Sequence, residues 1–469
     1  MSVLRSIAPR SYFKSLTRLK KLVWLYLLLL IFEGALRKWI VPQLSAPLLV
    51  VRDPVGLMIL WEAYRTVKWP ARWSGIIAFL CVAFVALFTI QTVFGGNLLI
   101  IGLYGLRSYL LPYPVMFVIG ENLDREDLYA MGRLLLWLLP PMAVLEAAQY
   151  HSAPGSFLNK GAYEGGAQIG YVLDHVRASG TFSFAVGAVA FGVLTAAFIV
   201  YGITRDGFAS KRLLWAALFG LFLSVPMAGA RSYLFLLVAM VGCMALGAAM
   251  GVSHLTKALR LLVPAALVLL LVSFLPVFSN AMGSFNQRLQ SKAEGGVENA
   301  LYTRAVAPVL ATFENLGGMS SAIGDGIGRG AKAMQALEFD RTQMVLGETI
   351  IERETREMGW IVGGGYAIFK ILLGIAIFAM ALDRGRNGDT LALLLCSFAI
   401  DSLWFSSPEQ ASEQGFMIVS VAFCIAAAKM PVVRAQSLTY PLALQRQRVL
   451  AQRRARQAAL ASRDRNAES

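Results

Sequence analysis

Apolar runs of roughly 20 residues recur along the chain, and short polar connections separate most of them. As a helix, a run of that length covers about 30 Å of hydrocarbon. The pattern predicts spanning helices over 22–40, 44–64, 74–94, 97–119, 128–148, 180–201, 212–229, 232–250, 259–278, 359–382, 389–405 and 415–430. The expected fold is all-α, a polytopic transmembrane bundle of about 12 spans. Residues 1–21 then form a basic leading segment and 22–278 carry the first nine spans. Residues 279–358 form a large loop containing helices, 359–430 carry the last three spans, and 431–469 form a basic tail. Neither duplicated halves nor a fixed-period repeat is visible.

Composition agrees with lipid as the solvent. Of 469 residues, 57% are apolar and 15% charged, with a mean hydropathy of +0.60; an average soluble domain is about a quarter charged. The net charge of +15 gives no reason to expect a nucleic-acid partner, because cytoplasmic loops of membrane proteins collect Lys and Arg. Here basic residues fall in alternate connections: Arg65, Lys68 and Arg72; Arg125 and Arg133; Arg205, Lys211 and Arg212; Lys257 and Arg260; Arg384 and Arg386; Lys429 and Arg434. The other connections are nearly bare, and Gln91–Asn97 and Ser406–Gly415 have no basic residue at all; Arg37, Lys38 and Arg231 are the exceptions. The alternation predicts cytoplasmic termini and an extracytoplasmic 279–358 loop.

Arg5, Arg10, Lys14, Arg18, Lys20 and Lys21 precede the first run without a small-residue cleavage site, so that run reads as a retained anchor. The arginine-rich stretch 445–465 suits either a helix on anionic lipid or a solvated tail. Cys81, Cys243, Cys396 and Cys424 lie in apolar runs, and His151, His175 and His254 are scattered, so no metal or cofactor site is expected. The chain contains no GxSxG or HExxH.

Charge inside a span costs a few kcal/mol or more unless paired or wetted. Glu33 and Arg37 are four apart and can neutralise each other on one helix face. Arg52 and Asp53 precede Pro54, which fits either an ion pair between helices or a helix break lining a cavity. Arg107 fits a phosphate contact, snorkelling or a pair. A second group, Arg177, Arg231 and Arg304, lies near the predicted outer surface, where guanidinium forks match the oxygens of a lipid-borne diphosphate. A third group lies in 333–358. On a helix, Arg341, Glu348, Glu352 and Arg356 form one stripe, with Arg353 and Glu357 beside it. Glu348 and Glu352 could deprotonate a sugar hydroxyl while Arg341 and Arg356 hold an anionic leaving group. The same spacing fits a solvated, salt-bridged face. Gly324-Asp-Gly-Ile-Gly-Arg-Gly330 has the composition of a phosphate loop but follows no strand.

In order and placement, these pieces resemble the O-antigen ligase and polymerase superfamily of bacterial membrane glycosyltransferases. The likeness rests on Arg177-Ala-Ser-Gly-Thr-Phe182, Gly229-Ala-Arg-Ser232, Tyr302-Thr-Arg304 followed by Gly324-Asp-Gly-Ile-Gly328, and Glu357-Met-Gly359, covering roughly 170–385. Glu33-Gly-Ala-Leu-Arg-Lys-Trp39 and Arg52-Asp-Pro54 look like hallmarks of a subgroup. The resemblance implies a metal-independent, inverting transferase in a bacterial inner membrane, acting in exopolysaccharide or O-antigen assembly. Its partners would be a glycan donor on undecaprenyl diphosphate, a glycan or lipid acceptor, membrane lipids and other assembly proteins. Arg177, Arg231 and Arg304 would bind the diphosphate. Ligases of the family usually carry a histidine before the Glu-x-Gly segment. None stands there in this chain, which favours polymerisation and leaves the role to Glu348 or Glu352. A secondary transporter or flippase and a non-catalytic assembly component are the other readings.

Overall fold

The computed structural model describes residues 6–162, 171–172, 175–250, 322–331 and 350–429. Over these the chain is helical, apart from two two-residue strands, β1 (Tyr171–Val172) and β2 (His175–Val176), paired antiparallel. The helices are α1 (Arg10–Ser15), α2 (Arg18–Ala35), α3 (Arg52–Arg65), α4 (Ser74–Val93), α5 (Leu99–Leu110), α6 (Pro112–Asn122), α7 (Arg125–His151), α8 (Ala185–Thr204), α9 (Lys211–Ala228), α10 (Arg231–Ala249), α11 (Ile350–Arg386), α12 (Leu391–Phe405) and α13 (Ala411–Lys429). Among the described residues seven helical segments are long and apolar enough to cross a membrane: Ala71–Val93, Arg125–His151, Ala185–Thr204, Lys211–Ala228, Ser232–Ala249, Ile350–Arg386 and Ala411–Lys429. The protein is a helical membrane protein. The predicted span 259–278, most of the 279–358 loop and the tail from 430 lie outside the described residues.

Burial separates central from peripheral helices. In α8 the apolar window is 89% buried and in α13 83%, against 28% in α4. A helix apolar on every side packs at the centre of a bundle. The small residues of α8 make this possible: a Cβ on Gly192 would meet the Tyr233 hydroxyl of α10, and one on Gly187 the Phe182 ring. In α4 only Ile77, Leu80, Phe84, Leu87 and Gln91 are buried, a single helical stripe. Phe79, Val82, Val85, Ile90 and Val93 face outward, as a lipid-facing side requires.

Two of the predicted spans are interrupted, and a third begins at a bend. The run 44–64 holds a short turn of helix at Ser45–Leu48 and then α3, which begins at Arg52. The run 97–119 divides into α5 and α6 at Leu111–Pro112, where proline cannot donate to the helix ladder. Helix α11 bends at Gly359, whose φ of 75° and ψ of 170° only glycine adopts readily. The short arm before the bend folds back on the long arm. A Cβ on Gly363 would touch Thr355, and Lys370 pairs with Glu354 at 2.5 Å. Residues 322–331 fill the bend so closely that a Cβ on Gly359 would lie 2.4 Å from the Ala322 carbonyl.

Side-chain bonds gather the connections into two ends. At one, Tyr12 donates to Asp127, Lys20 pairs with Asp124 and Asp127, Arg125 pairs with Asp389, and Trp73 donates to Glu121. Asp124 also caps α7 in a reciprocal box with Asp127. The other end gathers Leu36–Ser45, Gln91–Asn97, Gln149–Ala162, Ser179–Ser183, the α9–α10 turn, 322–331 and 407–411. These are connections that the alternation of basic residues assigned to one side.

Candidate functional site

The second end is built around Glu357, the last acidic residue before the α11 bend and fully buried. Gly328 and Gly330 donate their backbone N–H groups to its carboxylate at 2.9 and 2.8 Å, and the Tyr109 hydroxyl donates at 2.9 Å. Gly330 has to be glycine here, since a Cβ would sit 2.4 Å from the Glu357 carboxylate and 2.5 Å from Arg353 Cδ. Gln91, at the end of the α4 stripe, clasps the loop from the other side. Its amide donates to the carbonyls of Ile323 and Glu357, both at 2.7 Å, and its oxygen accepts from Ile327 N–H at 2.8 Å. Asn97 donates to the Ile327 carbonyl at 3.1 Å. The glycine loop therefore wraps a carboxylate of its own chain.

Above Glu357 lies a second carboxyl. Glu409 occupies the turn between α12 and α13, and its side chain is 7% exposed. Arg353 reaches it at 3.5 Å and donates to Ser407 Oγ at 2.9 Å. Glu413 accepts from Ser407 N–H at 2.6 Å and so fixes the turn. Burial first, then the charge of neighbouring Glu357, push Glu409 up to about 8, against the opposing pull of Arg353. A carboxyl in that range exchanges protons near neutral pH, beside a guanidinium able to meet negative charge.

A belt of buried charge extends this cluster. Arg52 donates to Glu33 at 2.8 Å and to the Ala411 carbonyl. Glu33 also faces Arg37 at 3.5 Å, and Arg37 continues to Ser183 Oγ at 3.0 Å and the Ala162 carbonyl at 3.2 Å. Lys38 donates to Ser179 Oγ at 2.5 Å. Asp53 takes a two-pronged contact from Arg107, at 2.5 and 3.0 Å. A cavity with about 10 Å³ open to a water centre, room for about one molecule, is lined by Tyr26, Arg52, Asp53, Pro112 and Gln414 among others. Arg52–Asp53 thus follows a helix break, forms ion pairs and borders a cavity at once.

The other predicted residues divide three ways. Arg177 is half-buried and donates to the Ala228 carbonyl at 3.4 Å, while Ala178 N–H donates to Met227 O at 3.2 Å. This seats Arg177-Ala-Ser-Gly on the turn where Arg231 begins α10, so these two motifs lie side by side in the fold; the Arg231 side chain is outside the described residues. Glu352 and Arg356 pair at 3.2 Å, with side chains 28% and 48% exposed, which is the salt-bridged-face geometry. Arg304, Arg341 and Glu348 fall outside the described residues. Sequence reasoning missed Glu409, Gln91, Asn97 and Tyr109 as site residues. The signal for Glu409 stood in the count of charges: 406–415 has no basic residue yet carries two acids, Glu409 and Glu413. Of the four cysteines, Cys396 and Cys424 are buried and Cys81 and Cys243 partly so, all unpaired.

No family model, no curated protein and no solved structure matches this chain.

Proposed function

We propose that the protein is a metal-independent, inverting glycosyltransferase that joins glycans carried on undecaprenyl diphosphate, as a polymerase or ligase of O-antigen or exopolysaccharide. In this reading it has twelve spans in a bacterial inner membrane, both termini are cytoplasmic, and the Glu357–Glu409 end faces outward. One observation carries the proposal: loops remote in sequence bring the carboxyls Glu357 and Glu409 together beside the Arg353 guanidinium, at the end of the bundle that also carries the adjoining Arg177 and Arg231 segments. Glycosyl transfer needs a base for the acceptor hydroxyl and cations for the departing diphosphate. At the opposite end Asp124, Asp127, Arg125 and Lys20 are engaged in a cap and in bridges. The twelve-span count draws support from helices too short or too charged to qualify on apolarity alone: α2, α3, the α5–α6 pair and α12 each run between the same two sets of connections. Together with the seven apolar segments and the predicted span 259–278 they make twelve.

Deleting the gene in its host tests the function. Long surface glycans should vanish while single repeat units accumulate on the lipid carrier; unchanged chain lengths would dismiss the transferase. The bend at Gly359 favours a second reading, because broken helices beside buried charge also build transporter sites. In that case the deletion would leave lipid-linked units trapped on the cytoplasmic leaflet instead of displayed, unjoined, on the outer one.

A further inference from the structure

Two buried carboxyls stand side by side at the proposed site, and their hydrogen bonding differs. Glu357 is saturated: two backbone N–H groups and the Tyr109 hydroxyl all donate to it. Both of its oxygens are thereby engaged, Oε1 by Gly330 and Oε2 by Gly328 and Tyr109. It ties the glycine loop to the bend of α11. Glu409 has the opposite surroundings. Its Oε2 meets Arg353 at 3.5 Å, beyond a short charge-assisted bond, its buried Oε1 accepts from no donor, and its carboxyl adjoins that of Glu357. A buried acceptor without a donor is costly, and a hydroxyl-bearing ligand placed there would remove that cost.

We infer that Glu409 is the catalytic base of the transfer and that Glu357 only positions the loop and Arg353 around it. The inference rests on the transferase reading. In the step, the acceptor hydroxyl donates its proton to Glu409 Oε1 as the acceptor oxygen forms a bond to the anomeric carbon. The bond from that carbon to the diphosphate oxygen breaks, and the electron pair leaves with undecaprenyl diphosphate. Arg353, at hydrogen-bond distance from Ser407 and facing Glu409, lies where the negative charge that passes from acceptor to leaving group has to be met. The proton then passes from Glu409 to water, which restores the carboxylate. Glu352 is not needed for this step, since its carboxylate is engaged with Arg356 on the exposed face of the short arm.

The test uses the full-length protein in liposomes with lipid-linked oligosaccharide extracted from the deletion strain. Wild type should lengthen these chains, and its initial rate should rise with pH and level off above about 8, the value at which Glu409 loses its proton. Glu409→Gln should reduce the rate by about 100-fold or more, with a melting temperature no lower than that of wild type. Glu409→Asp should restore part of the rate. Glu357→Gln should lower the melting temperature as well as the rate. A Glu409→Gln rate within twofold of wild type overturns the inference, as does a large loss in Glu352→Gln with Glu409→Gln unaffected. A wild-type protein that joins no chains, from a deletion strain whose glycans keep normal length, overturns the transferase reading and the inference with it. Normal joining by Glu409→Gln overturns the inference alone.

Discussion

The two ends of the bundle solve the problem of charge in a membrane protein differently. At the end holding Asp124 and Asp127, each ion pair keeps at least one partner near water. Lys20 bridges both aspartates at 2.5 Å, Asp124 stays 60% exposed, and both carboxylates also cap α7. At the end holding Glu357, both members of a pair are buried, and the carboxyls are unequal in their partners. Arg52 and Glu33 are each less than 6% exposed yet 19 residues apart in sequence. A stabilising network ends with its bonds satisfied. A reactive one keeps a group in reserve, and of the two neighbouring carboxyls Glu357 and Glu409 it is Glu409 that has an oxygen to spare; Glu146, inside α7, also lacks donors but has no guanidinium beside it.

The sharpest way to break the contrast is at the bend. Gly359→Ala forces a side chain into a backbone conformation only glycine tolerates and into the Ala322 carbonyl 2.4 Å away. The loop would leave Glu357, whose buried carboxylate would lose two donors. We expect a loss of more than about 4 kcal/mol, read as little or no folded protein in membranes. Wild-type levels and melting would show that the loop does not depend on the bend.

Next in size is Arg52→Ala, which strands buried Glu33 with Arg37 alone at 3.5 Å. Removing one partner of a buried pair costs about 3–5 kcal/mol. The double variant Glu33→Gln with Arg52→Met should recover part of it, because Glu33 then carries no charge to be stranded and Arg37 keeps its neutral acceptors, Ser183 Oγ and the Ala162 carbonyl. A double variant no better than Arg52→Ala would show that Arg52 acts through packing against Gly415 and Tyr26, which it also touches. The matching change at the opposite end is Arg125→Ala, which removes a 3.0 Å pair with Asp389 where the guanidinium is 21% exposed. Water replaces part of that partner, so we expect about 1–2 kcal/mol. Equal losses from Arg52→Ala and Arg125→Ala in thermal unfolding would erase the distinction between the ends.

How much of this was legible in the sequence follows from the reach of each contact. Glu33 and Arg37 stack because they are four apart on one helix, and spacing alone revealed them. The break at Arg52-Asp-Pro54 was visible because proline and two charges interrupt an apolar run. The alternation of basic residues put Gln91–Asn97 and Ser406–Gly415 in one set, and side chains of both meet the short arm and bend of α11. Spacing could not show that Asp53 would find Arg107, or that Glu33 would be shared with Arg52, because those pairs form between helices. Gly324–Gly330 had the composition of a phosphate loop without the preceding strand, and its backbone proved to hold a carboxylate 27 residues away from Gly330. Glu409 stayed hidden because its neighbours Arg353 and Glu357 come from another helix.

The smallest expected effect on stability separates the two carboxyls most cleanly. Glu409 titrates near 8 in the folded protein and at the ordinary 4.5 when unfolded. Between those values the unfolded chain has released a proton that the folded chain still holds, so stability declines as pH rises through that window and levels off above it. Glu409→Gln removes the decline. Its melting temperature should match wild type near pH 5 and exceed it by pH 8, with a gain on the order of 1 kcal/mol after allowance for the shared charge of Glu357 and Arg353. Glu357→Gln should behave in the opposite way and lose stability, because its amide presents a donor where two backbone N–H groups and Tyr109 already donate. A protein that is stabilised by neutralising one carboxyl and harmed by neutralising its neighbour is holding the first at a cost, and catalysis is the physical reason to hold it. If both substitutions destabilise at pH 8, Glu409 belongs to the scaffold with Glu357, and the difference between the ends is one of burial alone.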